Sequence, residues 1–204
     1  MLHRLTVAFL GDSFVAGVGD EDGIGWAGRL VASARRPGLD LTGYPLGIRR
    51  DTSVDVAARW EREVRARVPD AGVTAVVLSF GVNDATDRGD GQRRVQADIT
   101  VACLRAILDR TRELGFPVLV VGPPPVADPV VNDRIVALDA LLLATTYETG
   151  APYVSVVHDL LADPVWQHEV RTGDGAHPGA SGYARLAALV RPGWDAWLPS
   201  LGAP

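Results

Sequence analysis

Lysine is absent from the 204 residues, so all twenty basic side chains are arginine. Without that ammonium, neither a Walker-type phosphate loop nor a Schiff-base mechanism has its essential residue. Cysteine is almost absent too. Cys103 stands alone, which leaves no disulfide framework and no paired-cysteine metal site. Its four-residue spacing with Val95, Ile99 and Ile107 predicts a buried helical thiol. Histidine occurs four times, and His3, His158 and His168 form no HxxxH or HExxH pair that could hold a metal beside Asp174 and His177. No metal and no other cofactor is expected. Long apolar runs are also lacking. Nothing in the chain is long enough to span a bilayer, and the N-terminal apolar run is shorter than a secretory signal. The expectation is a cytoplasmic protein with no membrane partner.

A formal net charge of −5 gives no general basic face, so no nucleic-acid partner is expected. Arg59, Arg62, Arg65 and Arg67 alternate with Glu61 and Glu63, the pattern of an ion-paired helix face. The glycine-rich stretch Gly17-Val18-Gly19-Asp20-Glu21-Asp22-Gly23 has Asp22 near where a dinucleotide fingerprint needs its third glycine. It reads as a mobile acidic loop.

What is present fits one globular domain over residues 1–204, with 47% hydrophobic and 22% charged residues. Strand-type runs near 5–10, 39–46, 73–80, 117–121 and 152–157 alternate with helical patterns near 26–36, 53–68, 92–114, 131–148 and 181–191. That alternation predicts a three-layer α/β/α sandwich around a five-stranded parallel sheet. In the second helix Val56, Trp60, Val64 and Val68 make one stripe, and Thr52 with Asp55 offers a capping box. Right-handed crossovers then gather the strand-end loops on one edge of the sheet.

Three polar clusters fall at element ends. Gly11-Asp12-Ser13 closes the run Val7 to Leu10, Gly81-Val82-Asn83-Asp84 follows Val76 to Phe80, and Asp174-Gly175-Ala176-His177 precedes the last helix. In open α/β sheets the crevice beyond the strand C-termini is where ligands bind. Together the clusters hold a hydroxyl, an imidazole, a carboxylate and a side-chain amide, the parts acyl transfer requires. Taken singly, each also reads as a turn or helix cap.

These ordered blocks resemble the SGNH hydrolases, the GDSL esterases and lipases, over the span from Gly11 to about Tyr183. The resemblance implies a flavodoxin-like strand order 2-1-3-4-5 and a metal-independent serine esterase acting on a small-molecule ester. It implies Ser13 as nucleophile, His177 as base, Asp174 as the carboxylate that orients it, and Ser13 N–H with Asn83 as oxyanion donors. Phe14 replaces the leucine of the GDSL string. Where the family has a glycine oxyanion donor, this chain has Arg50, with Gly47 three residues earlier, and the backbone N–H of either is available for that role. Phe14, Arg50 and Asp84 are the candidates to line the substrate pocket, with the Arg50 side chain near the cleft and open to an anionic part of a substrate. Trp26, Trp166 and Pro123 to Pro125 are further candidates to shape the cleft, core packing being the other reading of the two tryptophans, and the loop from Asp84 to Gly91 reads as a flexible lid. Two other readings stand beside hydrolysis: an acyltransferase using the same residues, and a non-catalytic flavodoxin-like binding module. The oligomeric state is not legible.

Overall fold

Five parallel strands, β1 (His3–Gly11), β2 (Leu39–Gly47), β3 (Val73–Ser79), β4 (Val118–Val121) and β5 (Tyr153–Val154), build the sheet of this computed structural model. Their order is β2-β1-β3-β4-β5, the order the family resemblance implies. The structure describes residues 3–202. The ends of the expected domain, residues 1–2 and 203–204, lie outside the described residues.

The sheet is covered on both faces because its strands are apolar on both. In β1 the side chains of Leu5, Val7 and Phe9 face one core, while Ala8 and Leu10 face another. β3 divides likewise, Ala75 and Val77 against Val76 and Leu78. This is the two-sided burial that makes parallel strands near-continuous hydrophobic runs. Helices α1 (Gly25–Ser33) and α8 (Ala180–Trp197) close the first face with Trp26, Leu30, Tyr183 and Trp194. Helices α2 (Ser53–Arg65) and α4 (Ala97–Leu114) close the second with Val56, Trp60, Val64, Leu104 and Ile107. Helix α5 (Pro129–Thr149) reaches into both cores, Ile135 in the first and Leu138 in the second. Trp26 and Trp166 are both fully buried, so they belong to the core rather than to a cleft wall.

The capping box of α2 forms as expected, with Thr52 and Asp55 bonding reciprocally. Val68 falls beyond the helix end and is exposed, so the buried stripe stops at Val64. Helix α4 starts at Ala97, five residues later than the periodicity suggests, because the chain before it turns back in a small hairpin closed by the Asp87–Arg93 bridge. Its buried face is Thr100, Leu104, Ile107, Leu108 and Thr111. Cys103 is consequently half-buried at the margin of that face, and Ile99 is exposed.

Three short helices escape the periodicity: α3 (Val82–Ala85), α6 (Val157–Ala162) and α7 (Pro164–Thr172). The last has a legible start signal, since Asp163 caps Val165 and Trp166 N–H with Pro164 in the first turn. Among the described residues no helix is long and apolar enough to cross a membrane.

Candidate active site

Ser13 sits just beyond the C-terminal end of β1, on a turn shaped by its neighbour. Asp12 Oδ1 accepts the Phe14 N–H (3.0 Å), and the chain then winds once, with Ala16 N–H bonded to Asp12 O (3.1 Å) and Val18 N–H to Ser13 O (3.1 Å). Gly47, at the end of the neighbouring strand β2, runs directly against this turn. A Cβ there would lie 2.2 Å from Asp12 O and 2.3 Å from Ala16 N, so only glycine fits. Ile48 N–H donates to Gly11 O (3.1 Å), and strand alternation therefore turns the Gly47 N–H away from β1 and Ser13. The sequence offers Gly47 as an oxyanion donor. The structure makes it a close-contact position instead.

The imidazole arrives from the other side of the molecule, on the loop between α7 and α8. Asp174 Oδ1 accepts the N–H groups of Ala176 (3.0 Å) and His177 (2.8 Å), which folds the four residues into a tight turn. Its Oδ2 lies 2.7 Å from His177 Nδ1, and His177 Nε2 lies 2.8 Å from Ser13 Oγ. Two glutamates hold this loop by the N-terminus of α8, Glu21 Oε2 accepting Ala180 N–H (2.7 Å) and Glu169 Oε2 accepting Gly182 N–H (2.7 Å). Tyr183 Oη also donates to Val18 O (2.8 Å), so the histidine loop is anchored to the segment that follows Ser13.

Burial opposes the ionisation of Asp174, but the N–H groups of His177 and Ala176 and the imidazole outweigh it and bring its carboxyl down to about 2. An ionised carboxylate can only accept, so the Nδ1 proton points at Asp174 and Nε2 is left to accept from the Ser13 hydroxyl. Phe14 backs the imidazole, its ring 5.0 Å from that of His177 and stacked on Trp166 at 6.3 Å. His3, His158 and His168 join no such arrangement, and among the described residues no three metal-ligating side chains converge.

Asn83 rides on α3 just after β3. Gly81 precedes that helix at φ +121°, a conformation open to glycine. The Asn83 Nδ2 donates to Asp51 O (3.0 Å) and stands 3.5 Å from Asp12 Oδ2. Asp12 is buried, and desolvation pushes its carboxyl up to about 7; the Phe14 N–H works against this and the neighbouring Asp84 and Asp51 charges add to it. The loop supplying Asp51 is held by Arg59, whose Nε bonds Asp51 Oδ2 (2.7 Å) and whose Nη2 bonds Gly11 O (2.8 Å). Arg59 thus ties the end of β1 to the loop after β2. No sequence period signals that contact, because it joins the middle of one helix to two strand ends.

Arg50 lies in that loop at φ +70°, the one non-glycine residue with positive φ among the described residues. Its N–H enters no hydrogen bond among them. Ser13, Phe14, Arg50, Asn83 and His177 all line one cavity of about 380 Å³, floored by Val82, Val126, Val131 and Ala176. Arg49, which the sequence analysis passes over, lines it as well. The loop expected as a lid borders the cavity through Thr86 and Asp87, and it is an internally bonded hairpin, with Arg94 N–H on Thr86 O and Arg88 N–H on Gln92 O, both at 2.9 Å. The acidic stretch before α1 is pinned too. Its Asp20 carboxylate accepts from Gly25 N–H (2.6 Å) and pairs with Arg29, so the expected mobility has no basis in these contacts.

Asp84 is a correction. It does not line the cavity: one helical step beyond Asn83, its side chain points into the protein and is 1% exposed. It accepts the Ser53 N–H (3.0 Å), the Ser53 hydroxyl and the Thr100 hydroxyl (2.8 Å), clamping α3 to the starts of α2 and α4. Asp84→Ala leaves the buried Ser53 N–H and hydroxyl without an acceptor and the Thr100 hydroxyl with only the longer bond to Gln96 O (3.4 Å), an expected cost of about 3 kcal/mol. A thermal unfolding curve should fall by roughly 6–12 °C; an unchanged midpoint would show that the clamp does not bear on stability.

A family model described as GDSL-like lipase/acylhydrolase matches residues 9–185, from β1 into α8. The chain belongs to this acylhydrolase family. Solved structures agree in fold. An acetylxylan esterase from Geobacillus stearothermophilus superposes with a TM-score of 0.72 at 22% identity, covering 93% of each chain. A lipase/acylhydrolase from Enterococcus faecalis gives 0.67 at 25% identity over 92% of this chain and 93% of its own. An α/β hydrolase from the metagenome of Lake Arreo, Spain, gives 0.72 at 20% identity over 95% of both. No curated protein sequence matches. In this acylhydrolase-family chain the matched span includes the Ser13, Asn83 and Asp174–His177 clusters that meet at the cavity.

Proposed function

We propose that this family member is a serine esterase that hydrolyses carboxylic esters. The observation that carries the reading is the unbroken chain of hydrogen bonds from Asp174 through His177 to Ser13 at the wall of an apolar-floored cavity. Ser13 Oγ attacks the carbonyl carbon while its proton passes to His177 Nε2. The C=O bond becomes a single bond to an oxyanion, held by Ser13 N–H, Arg50 N–H and Asn83 Nδ2. The oxyanion then reforms the carbonyl and expels the alcohol, which takes the proton from Nε2 and leaves an acyl group on Ser13. Water attacks this ester in turn, giving its proton to His177, and Ser13 recovers the proton as the carboxylic acid departs. Asp174 stays ionised throughout and stabilises the imidazolium formed in each half.

The spacing of Asp174 and His177 also supports the reading. In the Geobacillus esterase, alanine variants of an aspartate and of a histidine three positions apart are each described as catalytic mutants. Val82, Val126, Val131 and Ala176 with Phe14 give the cavity an apolar floor suited to the hydrocarbon part of an ester.

The test is a panel of 4-nitrophenyl esters of increasing chain length with wild type and Asn83→Ala. Wild type should turn over the esters of this panel. Asn83→Ala should lower kcat by about 10² to 10³-fold with KM little changed, as for loss of one preorganised oxyanion donor. A change confined to KM would remove Asn83 from the oxyanion site.

A further inference from the structure

The cavity over Ser13 carries charges of both signs. Asp174 is engaged by His177. Asp128 caps α5, its Oδ1 accepting Val130 N–H (2.8 Å) and Val131 N–H (3.4 Å). Asp87 Oδ1 accepts the N–H groups of Gly89 (2.6 Å) and Gly91 (3.0 Å). Arg49 and Arg50 line the same cavity, are exposed, and have no carboxylate within ion-pair distance among the described residues. Asp87 and Asp128 make these bonds to backbone N–H groups and, like the two arginines, have no ion-pair partner among the described residues, so the cavity carries an acidic edge and a separate cationic edge formed by Arg49 and Arg50.

Arg50 adds a second, independent observation. At φ +70° a side chain costs on the order of 1 kcal/mol relative to glycine. Glycine would present the same backbone N–H at this point without that cost. The conformation is held from outside, by Arg94 Nη2 on Arg50 O (3.1 Å), Asp51 N–H on Ile48 O (3.2 Å) and the Arg59 clamp on Asp51. The loop thus keeps a guanidinium at a strained position on the cavity wall, next to a second one, with no ion-pair partner for either among the described residues.

We propose that Arg49 and Arg50 form an anion-recognition edge of this cavity, and that the ester substrate carries a carboxylate, phosphate or sulfate a few bonds from its scissile carbonyl. The proposal rests on the esterase reading of the same cavity and names the substrate class that reading leaves open. Apolar atoms of the substrate lie on Val82, Val126 and Val131 while the anion meets the guanidiniums, whose planar donors suit an oxyanion. Because both arginines are exposed, the selectivity is modest and weakens with salt.

The test compares matched esters, with the anion placed on either half. 4-Nitrophenyl hemisuccinate against 4-nitrophenyl butyrate reports an anion on the acyl side, and 4-carboxyphenyl acetate against phenyl acetate one on the alcohol side. The readout is the ratio of kcat/KM for the anionic ester to that for its neutral partner. In one of the two pairs, Arg49→Ala and Arg50→Gly should each lower the wild-type ratio about three- to tenfold, mainly through KM, while Arg50→Lys keeps most of it. Raising salt to about 0.5 M should compress the wild-type ratio in that pair. Ratios in both pairs that stay the same in Arg49→Ala and Arg50→Gly, or that ignore salt, would overturn the proposal while turnover of the neutral esters left the esterase reading standing. Wild type that turns over none of the four esters would defeat that reading and this proposal with it.

Discussion

Ser13→Ala is expected to lower kcat for ester hydrolysis by at least about 10⁴-fold, the largest effect of any single substitution in this protein. The Ser13 hydroxyl is the one oxygen on the cavity wall that is bonded to His177 Nε2, at 2.8 Å. Alanine removes the atom that forms the acyl bond and leaves the rest of the site in place. The oxyanion donors and the cavity remain, so a residual rate above that of water alone is consistent with the mechanism. Ser13 is 5% exposed and accepts Val18 N–H only through its backbone oxygen, so the variant should fold as wild type does. Steady-state kinetics with 4-nitrophenyl acetate, alongside circular dichroism of the variant, check both parts. A loss of less than tenfold would mean that another group attacks the ester.

His177→Ala should come close to the same loss, and the double variant Ser13→Ala/His177→Ala should be little worse than either single one. In the proposed mechanism the two side chains act as one unit: the hydroxyl is a weak nucleophile until the imidazole takes its proton, and the imidazole has nothing to do without the hydroxyl. Losses that multiplied in the double variant would show two independent contributions and would contradict the relay. Asp174 acts one step further back. The backbone N–H groups of Ala176 and His177 fix its carboxylate, so it presents a ready acceptor to Nδ1 before any substrate arrives.

The sheet is legible because each central strand is apolar on both faces, and β1 and β3 each end at a sharp polar cluster. Ser13 and Asn83 follow strands that the topology delivers to one edge, whereas His177 follows a helix that the periodicity misses, and it is the resemblance to the family that groups it with them. The inward turn of Asp84 is not legible in this way. Neighbouring residues on a helix point about 100° apart, and the four-residue helix that turns Asn83 to the cavity sends Asp84 toward Ser53 and Thr100. Gly47 and Arg50 are not told apart as backbone donors by the sequence, since whether a strand N–H faces inward depends on a one-residue register. The clamp of Arg59 on Asp51 and Gly11 spans three elements and leaves no local trace. Arg50 is the reverse case, visible in sequence as an unexpected side chain and intelligible only once its backbone angle and its lack of a partner are seen.

The central claim is that Ser13 is a nucleophile activated by His177, and covalent capture tests it most directly. Wild type incubated with an alkyl fluorophosphonate should gain the mass of one phosphonyl group, peptide mapping should place it on Ser13, and ester turnover should stop in step with labelling. Ser13→Ala should take up no label, and His177→Ala should take it up far more slowly. An unlabelled wild type that continued to hydrolyse esters in the presence of the reagent, but stopped when a chelator was added, would contradict the account and point to a metal-dependent hydrolase.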